Sequence, residues 1–96
     1  MTKRENLLIC LAEECAEVAQ RVSKALRFGL DEIQPGQTLT NAERIAQELN
    51  DLVAVAELLE ECGAVPRNQT ISDIQRKKSK LAAFLEYSRE CGTVLT

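Results

Sequence analysis

The sequence predicts an all-α protein. Apolar residues recur at alternating three- and four-residue steps through three long blocks, and Gly and Pro fall only between or behind those blocks. No stretch of any length alternates apolar and polar residues as a half-buried strand does.

The first block opens at Thr2-Lys-Arg-Glu5, where Thr2 and Glu5 have the spacing of a capping box. Leu8, Leu11, Cys15, Val18, Val22 and Ala25 then mark a core stripe, and Gly29 closes the block at a position suited to left-handed backbone. Residues 30–39, with Pro35-Gly36, read as a loop. A second capping box, Thr40-Asn-Ala-Glu43, starts a block that runs to Cys62, with Gly63 behind it. Its stripe is Ile45, Leu49, Leu52, Ala56 and Leu59. Val65-Pro66 and Asn68 mark the next connection. The third block begins near Thr70 or Ser72, carries Ile74, Leu81 and Leu85, and ends near Cys91-Gly92. These elements lead us to expect one domain over residues 1–96, with three main antiparallel helices forming a bundle. A chain of 96 residues buries little core alone, so completion by a homodimer or homotetramer is expected.

Composition removes several classes of function. With 12 basic and 15 acidic residues the net charge is −3. The only dense basic run is Arg76, Lys77, Lys78 and Lys80, so binding of polymeric nucleic acid is not expected. Histidine is absent, which excludes His-based acid–base chemistry and the usual zinc and haem sites. Cys10, Cys15, Cys62 and Cys91 show no Cys-x-x-Cys spacing and read as reduced packing residues. The charged start, Met-Thr-Lys-Arg-Glu-Asn, does not resemble a secretory leader, and no segment has the length of a membrane span. The expected location is the cytoplasm, away from membranes.

The candidate chemistry lies in two acid pairs. Glu14 and Glu17 are three residues apart on the first helix, as are Glu48 and Asp51 on the second. That spacing places each pair on one helix face, roughly 5–6 Å apart. Glu14 and Glu17 flank Cys15 and Val18, while Glu48 and Asp51 flank Leu49 and Leu52, so both pairs sit at the edge of an apolar face. Cys10, Glu14, Glu17, Arg21, Lys24 and Phe28 form a second line beside the first helix's apolar stripe. Four converging carboxylates need a cation between them, and an all-oxygen set favours Mg²⁺, with Mn²⁺ as a substitute. The competing reading makes the acids ordinary surface charge on a non-catalytic helical oligomerisation or partner-binding module.

Glu13-Glu14-Cys-Ala-Glu17 followed by Glu48-Leu-Asn-Asp51 resembles the EExxE…ExxD signature of the all-α nucleoside triphosphate pyrophosphohydrolases, the MazG-like superfamily. The phrases Arg21-Val-Ser-Lys24-Ala-Leu-Arg-Phe28-Gly29 and Ala46-Gln-Glu-Leu-Asn-Asp-Leu-Val-Ala-Val look like its short, stand-alone, phage-type members. The resemblance covers about residues 5–87, with a longer gap between the acid pairs because of the loop at 31–38. It implies that Glu14, Glu17, Glu48 and Asp51 hold Mg²⁺, with Glu13 as a supporting carboxylate or base. It further implies a nucleoside triphosphate substrate cut between the α and β phosphates, giving the monophosphate and pyrophosphate. Phosphoribosyl-ATP is the alternative substrate, and a phage origin would place the activity in the host cytoplasm. Lys77 and Lys80, three residues apart and in line with Phe84 and Tyr87, are carried over as phosphate-binding candidates, with Arg76 and Lys78 as alternates. Lys24 and Arg21 are secondary candidates, and Asn50 is a candidate base-reading amide. The same lysines also fit an ordinary solvated face, and Phe84 and Tyr87 also fit packing.

Overall fold

The computed structural model describes residues 1–66 and 70–95; the connection marker Asn68 lies outside them. The described chain is all-helical, with α1 at Lys3–Phe28, α2 at Asn41–Glu61 and α3 at Ile71–Glu90. The chain divides into two compact units, Met1–Pro66 with α1 and α2, and Arg67–Thr96 with α3.

Local chemistry fixes the ends of each helix. All three are capped by Thr, whose hydroxyl accepts a backbone N–H three residues on: Thr2 from Glu5 at 3.1 Å, Thr40 from Glu43 at 3.1 Å, and Thr70 from Asp73 at 3.2 Å. The second box is complete, because the Thr40 N–H also donates to the Glu43 carboxylate at 3.1 Å. That bond and a second from the Thr40 hydroxyl hold the Glu43 carboxyl below its usual pKa. At the N-terminus of α1 only the Thr2 half of the expected box forms. The third helix starts from Thr70, which resolves the choice between Thr70 and Ser72.

At the far end of α2, Ala64 N–H reaches Leu59 O at 3.0 Å and Gly63 N–H reaches Glu60 O at 3.1 Å. This is a Schellman closure, which needs the left-handed residue that Gly63 supplies at φ 76°.

In the first unit α1 and α2 form an antiparallel pair. Arg4, at the start of α1, donates to the Gly63 carbonyl just beyond α2 at 2.8 Å. At the opposite end, Asn41 opens α2 and its Nδ2 donates at 2.8 Å to the Gly29 carbonyl, which closes α1. Asn41 is 1% exposed and also donates to the Glu32 carboxylate at 2.8 Å. The loop supplies acceptors to the start of α2, with Asn41 N–H on Glu32 O and Ala42 N–H on Leu30 O, both at 3.0 Å. Arg44 donates to the Gln34 side chain at 2.9 Å. The 30–39 loop is therefore tied to α2 through helix-terminal donors that would otherwise lack partners.

The packed face of α1 differs in part from the expected stripe. On α1 the covered line is Leu7, Leu11, Glu14, Val18, Arg21 and Ala25, whereas Leu8, Cys15 and Val22 of the expected stripe are exposed. On α2 the expected Ile45, Leu52, Ala56 and Leu59 are covered, together with Glu48 and Val55, and only Leu49 of the expected stripe is exposed. On α1 the expected stripe holds more apolar side chains than the covered line, so periodicity places Leu11, Val18 and Ala25 correctly and misplaces Leu8, Cys15 and Val22. Only Ala25 and Leu59 are buried apolar residues among those described. The second unit is a single amphipathic helix on which Ile74, Leu81, Phe84 and Leu85 are all exposed.

All four cysteines are free; Cys10 and Cys62 are half-buried. Cys15 and Cys91 are exposed, so the expectation of mostly packing cysteines fits Cys10 and Cys62 alone. Among the described residues no helix is long and apolar enough to cross a membrane.

Candidate metal centre

The antiparallel α1–α2 pairing brings the first acid pair against the second helix. Seven residues separate Glu14 from Arg21, with Glu17 between them, so the three side chains follow one edge of α1. Glu48 lies on the covered face of α2. One carboxylate oxygen from each of Glu14, Glu17 and Glu48 lies within 4.8 Å of the others. Glu14 and Glu48 are half-buried, while Glu17 stays exposed at the mouth of the group.

Two of these acids carry unmet bonding capacity. Oε2 of Glu14 and Oε2 of Glu48 are both shielded from solvent and have no hydrogen-bond partner. A buried carboxylate oxygen without a donor is costly, so the arrangement lacks a positive or protic group at that point. Protonation relieves part of the conflict. The Glu48 carboxyl is pushed above its ordinary pKa chiefly by a hydrogen bond shared with Glu17, then by burial, and then by the charges of Glu17 and Asp51. Arg21 acts in the opposite sense, its guanidinium favouring the ionised form of Glu48. Arg21 is itself half-buried, and its Nη1 is shielded with no acceptor.

The donor set fits a hard divalent cation. Octahedral Mg²⁺ with oxygens at about 2.1 Å separates its ligands by about 3 to 4.2 Å, and the longer bonds of Ca²⁺ stretch that to about 5 Å. Three oxygens grouped within 4.8 Å reach either geometry through small rotamer changes. With neither His nor thiolate in the group, zinc and copper are poor matches.

The other sequence candidates fall in different places. Asp51 is exposed and outside the three-carboxylate group, although its charge is felt by Glu48. Glu13 and Asn50 are exposed, and Lys24 is half-buried one turn beyond Arg21. Lys77 and Lys80 are exposed on α3 within the second unit. Lys80 rests its ammonium 5.8 Å from the Phe84 ring, one turn along the same helix. Arg76 is bound to Asp73 at 2.9 Å. The sequence ranked Arg21 only as a secondary residue. The signal for its half-buried position was its place seven residues from Glu14, on the same edge of α1.

Comparison with protein-family models, with curated proteins and with solved structures returns no match.

The raised pKa of Glu48 has a direct consequence for stability. A carboxyl whose folded pKa exceeds its unfolded value contributes fully below the unfolded value, here 4.5, and loses that contribution as pH rises through the folded value. In the presence of a chelator, the wild-type protein is therefore expected to lose stability from this site as pH rises above 4.5. Glu48→Gln is expected to flatten that part of the profile and to raise the denaturation midpoint at neutral pH. Urea titrations across pH 4–8 check this; an unchanged slope in Glu48→Gln would contradict it.

Proposed function

We propose that this chain is a Mg²⁺-dependent nucleoside triphosphate pyrophosphohydrolase, cutting between the α and β phosphates. The observation that carries the reading is the convergence of Glu14, Glu17 and Glu48 with two shielded, partnerless oxygens. The acid signature, resembling that of the MazG-like enzymes, supplies the reaction class. Surface glutamates on an inert assembly helix would turn to water, so the shielded oxygens of the half-buried Glu14 and Glu48 favour the metal reading over the assembly-module reading.

Glu14, Glu17 and Glu48 would hold the cation, and the exposed Asp51 stands one helical turn from Glu48 as an additional ligand. When bound, the cation supplies neutralisation of the triphosphate charge and acidification of a coordinated water. The chain's own residues then position and exclude. The α1–α2 seam fixes the rotamers of Glu14 and Glu48, and a carboxylate not consumed in coordination accepts the proton of the attacking water. Glu13, exposed and four residues before Glu17, is the carboxylate for that task. Lys24, on the same helix as Glu14 and Glu17, belongs to the proposal as a contact for the outer phosphates; Lys77 and Lys80 stand on α3 in the second unit. Asn50 is the proposed amide for the base.

Self-association belongs to the same reading. Leu26 is 84% exposed, Val53 53% and Leu49 45%, and Ile74, Leu81 and Phe84 on α3 are equally uncovered. Apolar surface in this quantity on so short a chain is what an assembly of two or four copies would cover.

Two outcomes are expected. Incubation with Mg²⁺ and a panel of ribo- and deoxynucleoside triphosphates should release monophosphate and pyrophosphate, and Glu48→Gln should lower kcat by about a hundredfold or more. Release of diphosphate and phosphate, or the absence of turnover on every nucleotide, would overturn the assignment. Sedimentation velocity should give the mass of two or four chains, shifted toward one by Val53→Lys; a monomer at every concentration would refute the assembly.

A further inference from the structure

We propose that Arg21 is the anion-binding half of the metal centre: once a cation occupies Glu14, Glu17 and Glu48, Arg21 grips a phosphate oxygen of the bound substrate. The inference deepens the function proposed above and rests on it.

Three observations support the assignment. Arg21 is four residues from Glu17 and seven from Glu14, so its place on α1 directly continues the edge that carries the acids. Its charge reaches Glu48 on the opposite helix. Yet its Nη1 is shielded from water and has no acceptor, although three carboxylates lie in the same seam. A guanidinium offers five N–H donors and no acceptor, and it keeps its charge at every physiological pH. A shielded N–H of this kind calls for an acceptor oxygen, and as the α1–α2 pair stands none is bonded to it.

Charge balance identifies that oxygen. A cation bound to the three acids draws on the same lone pairs that Arg21 would use, so the carboxylates become poorer partners for it. Carboxylates in this number outweigh one divalent cation, and Arg21 offsets one of the remaining negative charges, which lowers the repulsion of a polyanion. The ligand that satisfies both the cation and Arg21 presents several anionic oxygens close together, as a diphosphate or triphosphate chain does. Arg21 thus makes anion binding conditional on the cation. A second role is open to the same residue, that of internal counter-ion to Glu48, and it has the opposite consequences for binding.

The test uses the intact chain, Mn²⁺ and imidodiphosphate, a pyrophosphate analogue that resists hydrolysis. Mn²⁺ affinity is read by electron paramagnetic resonance and imidodiphosphate affinity by calorimetry, with and without the cation. The wild-type protein is expected to bind Mn²⁺, and to bind imidodiphosphate only when Mn²⁺ is present. Arg21→Met is expected to keep Mn²⁺ affinity and to lose about thirtyfold or more in imidodiphosphate affinity. Arg21→Lys, which keeps the charge and stem, is expected to lose about three- to tenfold, and it carries the test should Arg21→Met misfold. Mn²⁺ binding with imidodiphosphate affinity unchanged in both variants would overturn this inference and leave the metal centre standing. Tighter Mn²⁺ binding in Arg21→Met, with unchanged imidodiphosphate affinity, would assign Arg21 the counter-ion role instead. Failure of the wild-type protein to bind Mn²⁺ would overturn both the metal centre and this inference.

Discussion

The arrangement of the first unit depends on a conflict between packing and charge in the α1–α2 seam. A helix pair of this length is ordinarily joined by apolar side chains, yet the covered lines include Glu14 and Arg21 on α1 and Glu48 on α2. Burial fixes these side chains while removing the water that would dissipate their charge. The result is a centre in which protonation of Glu48, attraction from Arg21 and repulsion among the acids oppose one another. A hard cation among these carboxylates would offset the repulsion between them.

The hydrogen bonds at the ends of the helices make that seam possible. Arg4 on the Gly63 carbonyl and Asn41 on the Gly29 carbonyl clamp α1 and α2 at opposite ends, with the acid group between them. Asn41 also ties down the loop through Glu32, so the turn between the helices is held by a nearly fully buried amide. With only Ala25 and Leu59 buried as apolar residues among those described, these polar clamps bear much of the positioning that a larger core would provide.

Helix number, class and ends were legible in the sequence because they are set locally. Thr2, Thr40 and Thr70 cap through their own side chains, and Gly29, Gly63 and Gly92 stand behind the last turns with positive φ. The packed register was less legible. Choosing between Leu8–Cys15–Val22 and Leu7–Glu14–Arg21 requires knowing which face meets a neighbour, and hydrophobicity favours the first while the structure uses the second. The same shift explains the uneven fate of the acid pairs. Equal i,i+3 spacing suggested four equivalent carboxylates, but rotation of each helix carries Glu14 and Glu48 into the seam and leaves Glu17 and Asp51 exposed. Spacing defines a helix face; it does not define how deeply each member of the pair is buried.

Crystals grown with Mn²⁺ and measured at its absorption edge decide whether these carboxylates form a cation site. An anomalous peak is expected among the carboxylates of Glu14, Glu17 and Glu48, lost in Glu48→Gln. A peak bound elsewhere, or none at millimolar Mn²⁺, would contradict it.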